Sequence, residues 1–227
     1  MISNPFCDNS ERGGDMQHIG GRSSESTSVP STLHGQLYLL TFDPEQGRFD
    51  VDDPALFGFA LQAAMLADLY LMGFLVERGG RAVPGKAASP DDPILRAAFA
   101  QVGVHNRATW AQLVARNARE AISAVQEQLT SEGWLRVGSL EPYDEYRVRE
   151  LIDDVGDAVR TAIAGYPAEP WLLSCGLLAL LAGLPGLADF VADAEDTRRL
   201  DELTREAIAP VAGLAEAIRS HRQGGTR

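Results

Sequence analysis

Residues 55–76 read ALFGFALQAAMLADLYLMGFLV, twenty-two residues with one formal charge, at Asp68. About twenty apolar residues cross the hydrocarbon core of a bilayer, so this stretch is either a membrane span or a buried core helix. Asp68 stands near its middle, where a carboxylate costs about 3 kcal/mol on insertion scales, and Gln62 adds a second polar group. Gly73 interrupts the helix before the run ends, and no Lys/Arg cluster flanks it. The punctuation is that of a soluble helix: Asp53 as N-cap, Pro54 in the first turn, Gly73 as the stop, and Phe74-Leu75-Val76 as a strand leaving it. A helix apolar almost all round belongs in a core, so the expected fold is built around it and has no transmembrane segment.

The chain has 227 residues and is 45% hydrophobic, enough for one domain with a sizeable core. A net charge of −12 opposes nucleic acid and anionic bilayers at long range, so either partner would need a local basic site. Cys7 and Cys175 lie in very different surroundings, one in a polar N-terminal stretch and one in an apolar helix, which excludes a disulfide framework and points to the cytoplasm. Residues 1–32 are rich in Ser, Gly, Asn and charge, lack the apolar core of a signal peptide, and read as a disordered tail. The folded domain is expected over 33–218 and a flexible tail over 219–227.

Inside the domain, LHGQLYLLTFDPEQGRFDV gives an apolar segment, a turn over 43–47 and a short strand-like piece. Gly79-Gly80 between apolar runs predicts a hairpin, because paired glycines accept positive φ. Ser89, Asp91 and Asp92 offer caps to a short amphipathic helix. The stretch from Thr109 to a stop at Gly133 carries an apolar stripe through Trp110, Leu113, Val114, Ala118, Ile122, Val125 and Leu129, which predicts one long helix. Trp134 to Val137 follows as a strand, and a helix opens near Asp144 and closes at Gly165. WLLSCGLLALLAGL is a second, shorter apolar core helix, and Leu187 to Val191 and Thr197 to Ile218 complete a helical chain. The fold class is therefore mainly α: a single globular helical domain around central buried helices, with short β-hairpins.

Strings that carry catalysis elsewhere are few. Asp153-Asp154-Val155-Gly156-Asp157 is a DDxxD on a helix, the pattern that holds Mg²⁺ against a diphosphate, and it keeps such chemistry as a remote alternative. Gly156 weakens that helix and no second acidic motif accompanies it, so a solvated face is the better reading. The four histidines show no metal-ligand spacing, and no G-x-S-x-G, P-loop or GxGxxG string is present. No catalytic residue, metal or cofactor is expected. Helix, Gly133-Trp134-Leu135 and turn resemble a winged helix with Arg116, Arg119 and Arg136 for phosphates, but the acidic balance argues against nucleic acid.

Taken in order, LYLLTFD, ALQAAMLADLYLMGFLVERGG, SPDDPILRAAFAQV, QLTSEGWLRV and WLLSCGLLALLAGL resemble the Golgi phosphoprotein family, whose eukaryotic members are Golgi adaptors for phosphatidylinositol 4-phosphate. Bacteria, actinobacteria especially, carry shorter relatives, and this chain looks like that bacterial type. The likeness spans Leu33 to about Ile218 and rests on the order of several elements: Asp68 before Gly73, a hairpin, a helix opening over Ser89 to Leu95, and E-G-W-L closing another. It implies a mostly α-helical globule.

The family's headgroup pocket uses a tryptophan, an arginine early in the buried helix and two arginines one turn apart on the long helix. Counting from Gly73, the early arginine falls on Gln62 and the tryptophan on Asp53, or on Asp50 with a short gap. From Gly133, the long-helix arginines fall on Arg119 and Ile122, while Arg116 and Arg119 form such a pair in a shifted register. Loss of cations weakens a phosphate site, so binding of phosphatidylinositol 4-phosphate is expected to be poor. The membrane hairpin is shortened to RVGSLEPY, with Val137 and Leu140 as its apolar remnant. The resemblance implies a non-catalytic, cytoplasmic, peripheral membrane domain of phosphoinositide- or anionic-lipid-binding type, its ligand meeting Arg116, Arg119 and Gln62. The alternative is a protein-interaction adaptor that keeps the fold without lipid. The ligand, the partner and the oligomeric state are not encoded in any motif.

Overall fold

In the computed structural model, residues 29–224 are described, apart from Pro44, Asn106, Leu140, Pro185, Gly186, residues 188–190 and Ala192. In chain order these residues form α1 (Leu33–Leu39), β1 (Phe42–Asp43), β2 (Arg48–Phe49), α2 (Pro54–Leu71), β3 (Leu75–Arg78), β4 (Arg81–Pro84), α3 (Pro93–Val104), α4 (Trp110–Val114), α5 (Ala118–Ser131), α6 (Glu145–Ile163), α7 (Pro170–Ala182), α8 (Ala194–Glu206) and α9 (Ala209–Gly224). The fold is mainly α, and its strands make two antiparallel two-stranded hairpins.

The centre is α2. Asp53 accepts the backbone N–H groups of Ala55 and Leu56, and Pro54 fills the first turn, as the sequence predicts. Of the helices described, α2 alone is long and apolar enough to cross a membrane, yet α1, α3, α4, α5, α7 and α9 pack around it. Leu61 and Leu69 are 0% exposed, so its apolar surface is covered by protein instead of standing open to lipid. Gly58 allows the closest approach: a Cβ there would lie 2.3 Å from the carbonyl oxygen of Ala118, so its absence seats the start of α5 against α2. Gly73, at φ +78, then turns the chain into β3, and Gly79 and Gly80, at φ +58 and +76, close the β3–β4 hairpin.

The apolar segment at the domain's start is a helix, α1, which the sequence reading leaves unassigned. Thr32 at its N-cap makes no side-chain hydrogen bond. The cap comes from across the core: Asp68 of α2, itself 0% exposed, accepts the backbone N–H of Leu33 at 2.8 Å and of His34 at 3.4 Å. The same carboxylate accepts His34 Nδ1–H at 2.8 Å. From there a polar chain runs outward. His34 Nε2 meets Gln128 Oε1 of α5 at 3.1 Å, and Gln128 Nε2 donates to Asp92, at 2.6 Å, and to Glu132, at 2.8 Å. Asp92 also caps α3 through Leu95 N–H. Four helices are thus pinned by one network with every member satisfied, the arrangement in which buried polar groups specify a fold.

The expected long helix from Thr109 to Gly133 is two helices. Thr109 and Gln112 form a reciprocal capping box that opens α4, which ends after one turn, and Asn117, at φ 52, ψ 26, redirects the chain before α5. The apolar stripe continues through both helices, so periodicity alone does not reveal the kink. Trp134–Val137 is not a full strand: a single bridge pairs Leu135 with Pro142, with Tyr143 N–H donating to the Trp134 carbonyl across it. The expected helix over 187–191 lies mostly outside the described residues. α9 continues through Gly224, beyond Ile218 where the sequence places the tail.

Candidate functional site

The kink at Asn117 positions the residues that the sequence singles out. Arg116 is the middle residue of the α4–α5 link and Arg119 the second residue of α5, so the two arginines belong to different segments and not to one continuous helix. Both side chains are exposed, and neither enters an ion pair among the described residues. Asn117 supports the left-handed turn because its short polar side chain tolerates that region better than a branched one.

Gln62 shares a different cleft with the kink residue Asn117. It is 5% exposed and forms the floor of a cleft of about 250 Å³ between α2, α3 and α5, together with Met65, Ile94, Gln101, Asn117 and Glu120. That cleft is mostly apolar, its one charged wall residue is Glu120, and neither arginine lines it. Arg116 instead lines a second, wider cavity of about 520 Å³ at the end of α3, with His105, Arg107 and Gln112. Arg116 Nη1 approaches His105 Nε2 at 3.5 Å. The three predicted headgroup residues are therefore not gathered in one pocket. His105 and Arg107 escape the sequence reading because they sit in the short α3–α4 connection, where no periodic pattern marks them.

The hairpin remnant is placed at the surface. Val137 is 87% exposed, next to Gly138 at φ +91, and Arg136 stacks over the Tyr143 ring with 5.4 Å to its centroid. Leu140 lies outside the described residues. Tyr143 and Tyr146 are also exposed beside it, and the inner end of the turn is anchored by buried Leu135.

The acidic string on α6 presents Asp153, Asp154 and Asp157 to solvent, and Asp157 pairs with Arg160. Among the described residues no group of three or more His, Cys, Asp or Glu side chains is placed to hold a metal ion. Cys175 is buried in α7, where burial first and the charge of Asp68 second push its thiol well above the ordinary range, so it is an inert core group. His34 is the other perturbed core group. Burial pulls its pKa down, but the hydrogen bond and charge of Asp68, with help from Gln128 and Asp92, outweigh this and raise it. His221 packs edge-on against Phe59. Cys7 and His18 lie outside the described residues.

The arrangement is a shell of helices around one apolar helix, with two exposed arginines beside a surface kink. Residues 33–221 match the family described as Golgi phosphoprotein 3 (GPP34), and the chain belongs to that family. The comparison with curated proteins gave no match.

Proposed function

We propose that this chain is a non-catalytic, cytoplasmic domain of the bacterial type within its family, which attaches peripherally to anionic lipid and binds phosphatidylinositol 4-phosphate poorly. One observation carries the reading: Arg116 and Arg119 flank Asn117 at the surface, exposed and without acidic partners among the described residues, in a chain of net charge −12. Two such cations give an otherwise repulsive protein a local point of attraction for phosphate oxygens. The weakness toward phosphatidylinositol 4-phosphate follows from Gln62, whose cleft offers an amide and a glutamate but no guanidinium among its wall residues. A phosphate entering there would lose water without gaining a charged donor.

Vesicle flotation tests the reading, with phosphatidylcholine alone, with an added anionic phospholipid, and with phosphatidylinositol 4-phosphate. The expected result is flotation with the added anionic phospholipid, less with phosphatidylinositol 4-phosphate, and loss of flotation in Arg116→Ala/Arg119→Ala. Equal flotation of that double variant and the unaltered chain would remove the reading.

A second reading, an adaptor for a protein partner, is favoured by one specific feature. Val137, Tyr143 and Tyr146 are all exposed around the 134–146 turn, and exposed aromatic residues are enriched in protein interfaces. Recovery of a defined partner in the absence of lipid, lost in Tyr143→Ser/Tyr146→Ser, supports it.

A further inference from the structure

We propose that the cavity bounded by His105, Arg107, Gln112 and Arg116 binds a phosphate monoester group. It shares Arg116 with the lipid reading above but rests on the cavity wall, and it holds whether the phosphate belongs to a lipid headgroup or to a soluble molecule.

The wall carries cationic and amide donors among small apolar residues. Arg107 and Arg116 both line this one concavity, and neither enters an ion pair among the described residues. Gln112 is held by its capping box: its Oε1 accepts Thr109 N–H at 3.0 Å, which leaves the amide NH₂ group as the part able to serve a ligand. The approach of Arg116 Nη1 to His105 Nε2 at 3.5 Å ties that guanidinium to the wall. Among the described residues no Asp or Glu lines the cavity, although the chain has 32 acidic residues against 20 basic ones. Two cations facing one space without a counter-charge repel each other, and a dianion between them converts that repulsion into two charge-assisted, forked contacts.

Size and rim narrow the ligand further. About 520 Å³ is more than one phosphate fills, so there is room for the group esterified to it. Val104, 76% exposed, also lines the cavity and offers an apolar contact beside the arginines, which suits an amphiphile as well as a soluble ester. The site is distinct from the Gln62 cleft, which lies further toward the N-terminal end of α3, against Pro93 to Gln101.

The test uses the full chain and two probes. Inorganic phosphate and glycerol 3-phosphate are titrated while the backbone amides are followed by NMR. The expected result is saturable shifts at Ala108, Gln112 and Arg116, with affinity roughly tenfold or more weaker in Arg107→Gln and unchanged in Arg48→Gln, a surface control of equal charge. Absent or unlocalised shifts, or equal affinity in Arg107→Gln, overturn the site. Flotation with phosphatidylcholine vesicles, with and without phosphatidic acid, then assigns the source. Flotation lost in Arg107→Gln places a lipid headgroup in the cavity. Phosphate binding lost with flotation intact keeps the site for a soluble ester and leaves lipid docking to Arg116 and Arg119 alone. Phosphate binding present with no flotation of any form upholds the site and defeats the lipid reading.

Discussion

Asp68 and His34 form a buried pair in which one carboxylate both caps α1 and holds an imidazole at 2.8 Å. The partner on the other ring nitrogen fixes the protonation. Gln128 uses its NH₂ group on Asp92 and Glu132, so its oxygen faces His34 Nε2, and both ring nitrogens are presented with acceptors. The network therefore fits the imidazolium, in agreement with the raised pKa of His34.

The sign of the resulting pH dependence follows. A histidine whose folded-state pKa lies above the unfolded value of about 6.5 contributes stability that is fully present below that value. It is lost as pH rises through the folded-state value. Thermal unfolding of the unaltered chain and of His34→Asn, compared between about pH 6 and pH 9, should show a stability difference that shrinks as pH increases. A difference that is constant or grows with pH would mean that the buried imidazole is neutral.

Removing the acid is the harsher change. Asp68→Ala leaves His34 and the first turn of α1 without their acceptor, and breaking a buried pair of this kind costs about 3–5 kcal/mol. Asp68→Asn keeps an acceptor for Leu33 N–H but no charge, so it should lose less and should abolish the pH dependence of the His34 increment. Denaturant unfolding measures both. Equal stability of the two variants would show that the charge, and not the cap, is what matters.

Asn117 distinguishes a kink from a continuous helix. In a continuous helix Asn117→Ala would gain up to ~0.7 kcal/mol from propensity and Asn117→Gly would lose stability. At φ 52 the order reverses: Asn117→Gly is neutral or stabilising, and Asn117→Ala costs about 1 kcal/mol. The two midpoints in urea decide between them.

Much of the fold is legible in the residues, because its boundaries carry local chemistry. Asp53-Pro54, Asp92-Pro93 and Asp144 mark helix starts, and Gly73, Gly133 and Gly165 mark stops, each by a side chain or a positive φ acting on its own neighbours. What escaped is what depends on distant partners. α1 is seven residues long with Gly35 inside it, and its cap arrives from Asp68, thirty-five positions after Leu33. The α4–α5 break leaves the apolar stripe intact, so only the backbone of Asn117 betrays it. The candidate site was half legible: Arg116 and Arg119 can be picked out as a basic pair near the helix that resembles the family's pocket wall, but only the folded chain brings Arg107 and His105 to Arg116 and separates all three from Gln62.

The claim that this domain meets anionic lipid through the arginines beside Asn117 is tested most directly by hydrogen–deuterium exchange of the full chain, with and without phosphatidylcholine vesicles containing an anionic phospholipid. The account predicts added protection in the α4–α5 link and the first turn of α5, with α2 unchanged. Protection confined to the 134–143 turn, or increased exchange throughout α2 as it leaves the core for the bilayer, would contradict it.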